Sequence, residues 1–415
     1  MEQAHLLTGE QMTTAEAPPS RLGRGLSRLA APLLIAVAIQ SLANLIFHAV
    51  VGRTLTPSDY GALGAVLAAM TLVAVPLTAL QTAAARTSAA GGLTRSTSWR
   101  AINRTFLLSL PAVLVLVALA VPIREFLSLH STFDAAILAP TLLTATVIAV
   151  ARGLLLGDGR SGVVAASFIV ATVVRLGPGL VLAHYWGVTG ALIATLAGEV
   201  AGLAVVLWVA LRAPTGALTR LTGSDVAKTG AVVAGLFAFS TVDLFLARHF
   251  LVGTESGYYV AAATIGKTIL ALPAAALSVA YPKLVAAWPS SHRFASLRSA
   301  LLVVGLPAVA GIAVVALLPG LVLTLLYGSG TFDAAADLTR VLAIVAGMSA
   351  FVSVFAHAAL ARESRWALFP WFAAAVEVVI ISWRHADMMQ VAQGAVVALV
   401  IALLGLGLRE VRAWR

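Results

Sequence analysis

A chain of 415 residues that is 60% hydrophobic and 11% charged, with mean hydropathy +0.98, carries far more apolar surface than a soluble core absorbs. It contains no cysteine, which excludes disulfides, thiolate metal sites and thiol chemistry. Its net charge of +10 falls on so apolar a sequence that the cations are read by membrane rules, not as a nucleic-acid surface. Apolar stretches of about 20 residues recur along the chain, each long enough to cross a hydrocarbon core roughly 30 Å thick. Lipid offers the backbone no hydrogen-bond partners, and these runs are too long and too continuous for barrel strands. The expected fold class is therefore an all-α polytopic membrane protein.

In chain order, residues 1–28 are polar, contain Pro18 and Pro19 and carry Arg21, Arg24 and Arg28, which reads as a disordered cytoplasmic N-terminal tail. No small-residue cleavage site precedes the first apolar run, so that run is expected to stay as an uncleaved anchor. Twelve spans are predicted, at 30–51, 61–83, 105–123, 136–156, 163–183, 188–211, 229–250, 258–281, 299–319, 336–360, 366–383 and 391–408. Alternate loops collect most of the 27 basic residues, among them Arg95, Arg100 and Arg104, then Arg152 and Arg160, then Arg293 and Arg298, then Arg362 and Arg365. The positive-inside rule puts both termini in the cytoplasm, and the use of arginine over lysine together with abundant alanine and glycine suggests a GC-rich bacterial genome, hence a bacterial inner membrane. Six-helix lobes are expected at 29–212 and 229–409. A cytoplasmic linker at 213–228 joins them, and a cytoplasmic tail at 410–415 ends the chain.

The lobes look like repeats. Thr132-Phe133-Asp134-Ala135-Ala136 recurs letter for letter as Thr331-Phe332-Asp333-Ala334-Ala335, each copy following a proline, Pro122 or Pro319, at the end of a span. The external turn from Leu55 to Tyr60 stands beside that from Leu251 to Tyr258. Pro76 stands beside Pro273, and Gly190-Ala191 beside Gly394-Ala395. Six spans separate the copies, so they are parallel repeats, which predicts a pseudo-twofold axis along the membrane normal and a substrate path between the lobes.

The stretch Asn44-Leu45-Ile46-Phe47, continuing through Arg53-Thr54-Leu55-Thr56-Pro57-Ser58-Asp59-Tyr60-Gly61, resembles the bacterial polysaccharide flippases of the multidrug/oligosaccharidyl-lipid/polysaccharide exporter superfamily, with Thr56 in place of the family's usual glycine. In the second half, Asp243-Leu244-Phe245-Leu246-Ala247-Arg248 and Gly257-Tyr258-Tyr259 match likewise. The resemblance implies a two-lobed, V-shaped transporter whose central cavity is lined by spans one, two, seven and eight. It implies an anionic lipid-linked glycan as substrate, membrane lipids around it, and polysaccharide polymerase or glycosyltransferase proteins as partners.

A charge near the bilayer centre costs about 2.5–3.5 kcal/mol on insertion scales and marks either a pair or a site. Asp243 and Lys267 lie at matching depths in spans seven and eight. They are expected either as an ion pair or as a working couple, with Lys267 facing a pyrophosphate headgroup and Asp243 exchanging a proton or sodium ion. Arg175 and Glu199 match in depth in spans five and six; a structural pair and a substrate-binding arginine are both open. Glu377 in span eleven has no basic partner on span twelve, leaving a protonated carboxyl or an ion-coupling residue. Asn44 and His48 share one face of span one, and His48 either bonds a carbonyl or lines the cavity. Arg53 and Arg248, at external span ends, are candidates for holding a phosphate or for snorkelling. Pro76 and Pro273 favour kinks and suit a hinge.

The sequence has no G-x-x-x-x-G-K-[ST] loop, no HExxH motif and no soluble segment large enough for a nucleotide domain. No metal, cofactor, nucleic-acid partner or enzymatic activity is therefore expected. Three rivals to this flippase are a drug/cation antiporter of the same superfamily, which needs acidic coupling residues in the first lobe, a flippase for a peptidoglycan lipid precursor, and a non-transporting scaffold for polysaccharide or cell-wall assembly.

Overall fold

The computed structural model describes residues 21–91, 93–213, 224–251, 253–288 and 291–415, and all regular structure among them is helical. Two long helices open the chain, α1 (Arg21–Thr54) and α2 (Pro57–Gly91). The turn between them is a helix cap. The Thr56 hydroxyl accepts the Asp59 amide at 3.2 Å and donates to the Asp59 carboxylate at 2.8 Å, and Pro57 enters α2 where an N–H would go unpaired anyway. That is why a threonine suits the position where the resembling family carries glycine.

There follow α3 (Arg95–Ala118), α4 (Ala120–Phe126), α5 (Thr132–Ala136), α6 (Leu138–Gly157) and α7 (Ser161–Ala210). The last of these, 50 residues long, is bent at Gly187, whose φ of 57° and ψ of −132° belong to a region open to glycine, so 161–186 and 188–210 are separate helical stretches. The second half holds α8 (Ser224–Phe239), α9 (Val242–Phe250), α10 (Thr254–Ile269), α11 (Ala271–Ala287), α12 (Arg293–Leu317), α13 (Pro319–Tyr327), α14 (Ala336–Ala361), α15 (Phe369–Trp383) and α16 (Met388–Trp414). Among the described residues, eight stretches are long and apolar enough to cross a membrane.

Packing follows the chain halves. α1 lies on α7 and α2 on α6 in the first half, α14 is the hub for α10, α12 and α16 in the second, and the halves meet where α2 packs on α8 and α10. Large apolar residues on α3 and α12, such as Leu108, Leu114, Leu306 and Leu317, point outward, whereas alanines dominate the interior. That inversion is expected when the outer solvent is lipid and small residues let helix backbones approach. Exposed Tyr185, Trp186 and Trp383 stand at helix ends, as do Trp99 and Trp208 at others, where amphipathic rings suit the headgroup layer.

At both ends the helices run further than the predicted spans. Residues 21–28, placed in the disordered tail, form the first turns of α1, because an apolar span continues its backbone hydrogen bonding past the hydrocarbon edge; residues 1–20 lie outside the described residues, as does most of the expected linker. Residues 410–414, placed in a C-terminal tail, are the last turn of α16. Arg362 clamps Glu410 through two N–H···O bonds of 2.8 and 2.6 Å, with the Glu410 side chain fully buried and Trp414 buried beside Trp288. Removing one partner strands a buried charge. Arg362→Met, which leaves the fully buried Glu410 carboxylate unpaired, is thus expected to lower stability by about 3–5 kcal/mol, and adding Glu410→Leu to regain most of it; thermal unfolding in detergent compares them, and a single variant as stable as wild type refutes the claim.

Candidate functional site

At one end, the first turns of α2 and α10 cross backbone against backbone. A side chain at Gly257 would collide with the Pro57 carbonyl and one at Gly61 with Ser256, so both positions need glycine for this approach. Around the crossing, Tyr60 and Tyr327, both buried, share a hydrogen bond of 3.1 Å, and Phe332 closes the aromatic cluster.

Two arginines bind the halves together here. Arg53, ending α1, donates from Nε to the Leu326 carbonyl at 3.0 Å and from Nη2 to the Leu325 carbonyl at the end of α13. Arg248, near the end of α9, donates to the Leu127 carbonyl at 2.8 Å and the Ser128 carbonyl at 2.7 Å beyond α4, to the Ser58 carbonyl at 3.2 Å, and to the Ser256 hydroxyl at 2.8 Å. Each cation sits on the carbonyl end of a short helix in the opposite half, where orphan acceptors and the helix dipole both favour positive charge. Arg53 and Arg248 were candidates for holding a phosphate. Their donors bond carbonyls of the opposite half and neither lines the cavity below, so together they tie the halves at this end as a reciprocal pair of contacts, called the latch below.

Beneath the latch the halves enclose a cavity of about 1010 Å³. From the first half it is lined by Asn44 and His48 on α1, Arg152 on α6 and Arg175 and Glu199 on α7; from the second, by Lys267 on α10 and Pro273 on α11, with Tyr281 and His357 at the far end. His48 bonds through Nδ1 to the Tyr60 hydroxyl at 3.0 Å, tying the wall to the latch, in place of the backbone carbonyl considered from sequence. Arg175 lies 4.1 Å over the Phe47 ring and donates to Asn44 Oδ1 at 3.0 Å. Among the described residues it forms no ion pair with Glu199 within 4.0 Å, although that carboxylate acts electrostatically on both Arg175 and Arg152.

Arg152, counted from sequence among loop charges, is instead a buried residue of α6. It lies 3.8 Å over the Phe168 ring and donates to Ser167 Oγ at 2.9 Å. Its position within the fourth apolar run, five residues before the helix end, was the available signal.

Opening off the main cavity, within the second half, is a chamber of about 30 Å³ lined by Ser240, Asp243, Lys267, Ser349 and Glu377. The helix break at Ser240–Thr241 between α8 and α9 sets Asp243 in a first helical turn, and Tyr259 donates to its Oδ2 at 2.9 Å. Asp243 Oδ1 and Glu377 Oε2 are buried without a protein partner. Asp243 and Lys267 share the chamber but are not a direct ion pair, since none within 4.0 Å joins them. Tyr259 and the two serines were not singled out from sequence, because uncharged hydroxyls leave no mark in an apolar run. Pro273 lies just past the break at Leu270 that parts α10 from α11. α2 runs unbroken through position 76, and the Pro76 side chain lies outside the described residues.

Residues 29–288 match the family described as "Polysaccharide biosynthesis protein". A search of curated proteins returns no significant match. Among solved structures the fold is similar to a lipid II flippase, MurJ, in an inward closed conformation, with TM-score 0.69, 14% identity, and 91% of this chain and 87% of that one covered. It is similar to an inward-facing multidrug resistance transporter of the MATE family, TM-score 0.68, 16% identity, covering 94% and 98%. For an outward-facing MATE transporter the TM-score is 0.60 at 18% identity, covering 94% and 96%. With more than half of its length matching the family and its helices arranged as in these flippase and exporter folds, this chain belongs to the polysaccharide biosynthesis protein family as a multi-pass, all-helical membrane protein.

Proposed function

We propose that this protein is a flippase that moves a lipid-linked oligosaccharide, a polyprenyl-pyrophosphate glycan, across the cytoplasmic membrane by alternating access. One observation carries the reading: a 1010 Å³ cavity between the two halves gathers Arg152, Arg175 and Lys267 at its wall and lies beneath a latched end. Three cations held in apolar surroundings suit an anionic headgroup. The family match and the likeness to a lipid II flippase support the substrate class, and the higher TM-score against inward-facing than outward-facing MATE structures supports a resting state open to the cytoplasm.

In this reading the chain crosses the bilayer twelve times. To the eight apolar stretches it adds α1, α2, the pair α10–α11 and a second span from the bend at Gly187. Lobes 29–212 and 229–409 are related by a pseudo-twofold axis, both termini are cytoplasmic, and the reciprocal arginines are the repeat's trace at the outer gate. Pro273 is a hinge, and Pro76 its counterpart. Asp243 and Glu377 are the coupling carboxylates, with Glu199 a third acidic group at the cavity wall. Polysaccharide polymerase or glycosyltransferase proteins would receive or supply the glycan.

The test is dithionite quenching of a fluorescent polyprenyl-pyrophosphate oligosaccharide in proteoliposomes. Wild type is expected to expose the inner-leaflet lipid, and Lys267→Ala to slow this at least tenfold while remaining monodisperse. Absence of flipping with several headgroups and ion gradients sinks the reading. An ion-coupled drug or cation antiporter is the second reading, favoured by the nearly equal MATE likeness and the paired carboxyls Asp243 and Glu377; cation efflux without lipid flipping selects it.

A further inference from the structure

The rim of the latched end carries a row of four rings in which phenylalanine and histidine alternate. Phe126, ending α4 in the first half, lies face to face with His249 of α9, ring centres 4.3 Å apart. His249 meets Phe250 edge-on at 4.7 Å, and Phe250 lies face to face with His385, just past α15, at 3.9 Å. Within this row only the Phe126–His249 contact joins the halves. His249 also bonds through Nδ1 to the Phe126 carbonyl at 2.8 Å, beside Arg248 on the next two carbonyls, Leu127 and Ser128. Two consecutive side chains of α9 thus hold three consecutive carbonyls at the end of α4.

A carbonyl only accepts, so Nδ1 of His249 carries a hydrogen and Nε2 is the nitrogen that gains or loses a proton. The residue is exposed, so the bath supplies that proton, and imidazole is the side chain whose charge changes near neutrality. Protonation makes the bond to the Phe126 carbonyl charge-assisted and sets a cation against the Phe126 ring face, and both changes strengthen the hold. His385 has the same chemistry, with Nδ1 on the Ile381 carbonyl at 3.0 Å and its ring on Phe250, but both partners belong to its own half. Those contacts weigh equally on a closed and an open form.

The charged groups on α9 and on the elements packed against it divide the same way. Arg248 beside His249, Glu255 in the first turn of α10, and Arg384 and Asp387 between α15 and α16 stay with it when the halves part. Asp243, Lys267 and Glu377 face the inner chamber, and α8 carries charge only in its first turns, away from α9. From the first half come Arg124 and Glu125 on α4, opposite in sign and adjacent, and Asp59 of α2, which lies 3.5 Å from His130.

We infer that His249 is a proton-operated catch on the latch: a proton taken from the bath at this end strengthens its hold on Phe126 and biases the molecule toward the closed form. The bias is full in acid and fades as the bath turns alkaline, because only the closed form offers the protonated ring the Phe126 carbonyl and phenyl face. The proposed orientation makes this the outer end, so acid outside slows release of the substrate. That last step rests on the flippase reading; the catch rests on the geometry alone.

Closed and open forms are counted by electron–electron distances between nitroxides at Phe133→Cys and Ser329→Cys, one on each half, in lipid nanodiscs from about pH 8 to about pH 5.5. To populate both forms, the titration is made on Arg248→Ala and on the charge-neutral Gly257→Ala, whose added methyl meets the Pro57 carbonyl. In acid the closed-to-open ratio should rise roughly three- to tenfold. Adding His249→Gln, which keeps an N–H donor but does not titrate, should abolish the rise, and adding His385→Gln should not. A ratio that ignores pH in both backgrounds overturns the catch, as does a rise that survives His249→Gln, which would assign it to His130 and Asp59, or one lost with His385→Gln. In proteoliposomes, acid on the latched side alone should slow lipid flipping. If the distances respond while flipping is absent or indifferent to that acid, the catch stands and its tie to transport falls.

Discussion

Replacing Arg248 with alanine is expected to open the latched end of the molecule. The side chain donates four hydrogen bonds, three of them to carbonyls at Ser58, Leu127 and Ser128 in the opposite half. Bonds from a charged donor are worth about 1.5–3 kcal/mol each, and part of that is recovered when water reaches the freed carbonyls, so a net bias of about 2–4 kcal/mol is expected. On a two-state scale this shifts the population of the open form by roughly 30- to 1000-fold. The chain has no cysteine, so spin labels at Phe133→Cys and Ser329→Cys are the only ones introduced. Electron–electron distance measurements should show one short distance in the otherwise wild-type protein and a dominant longer one after Arg248→Ala. Arg53→Ala, which removes two bonds from an exposed side chain, should shift the same equilibrium less. An unchanged distance distribution in both variants would mean that the aromatic and glycine contacts alone hold this end.

Asp243→Asn and Glu377→Gln should each remove the ion dependence of transport without removing substrate binding. The chamber of about 30 Å³ has room for one water-sized species, and the side chains of Asp243, Glu377 and Lys267 line it. Two carboxylates this close in apolar surroundings are stable only when a proton or a cation joins them, since Lys267 balances one and the other is left over. In the reading proposed above, the coupling ion supplies that missing unit charge. An imposed proton or sodium gradient should accelerate flipping in wild type at least tenfold and leave the two amide variants unresponsive. If both variants keep the wild-type gradient response, the chamber is structural.

Much of this was written in the chain. Continuous apolar runs of about 20 residues have one low-energy solution in lipid, so the all-helical, multi-pass class follows from composition and spacing alone. Two local features that were not read from the sequence also rest on neighbouring residues. The Thr56-Pro57 cap starts α2, and a glycine between the fifth and sixth apolar runs takes the one backbone conformation that parts them. Charges deep in apolar runs were also visible for what they cost, which is how Asp243, Lys267, Arg175 and Glu377 came to notice.

What sequence did not decide was which of those charges meet. Matching depth on adjacent spans suggested Asp243 with Lys267 and Arg175 with Glu199. The fold instead gives Asp243 to Tyr259 and Arg175 to Asn44 and Phe47, because rotation of each helix about its axis, set by tertiary packing, selects the partner among several at one depth. The same rotation turned Arg152 inward from an apparent loop position and carried Arg53 and Arg248 across to carbonyls of the opposite half. Composition and periodicity fix the all-helical, membrane-crossing class, since that follows from local energies. Tertiary structure alone decides which faces look at one another, because only the packed helices bring residues more than a hundred positions apart within a hydrogen bond.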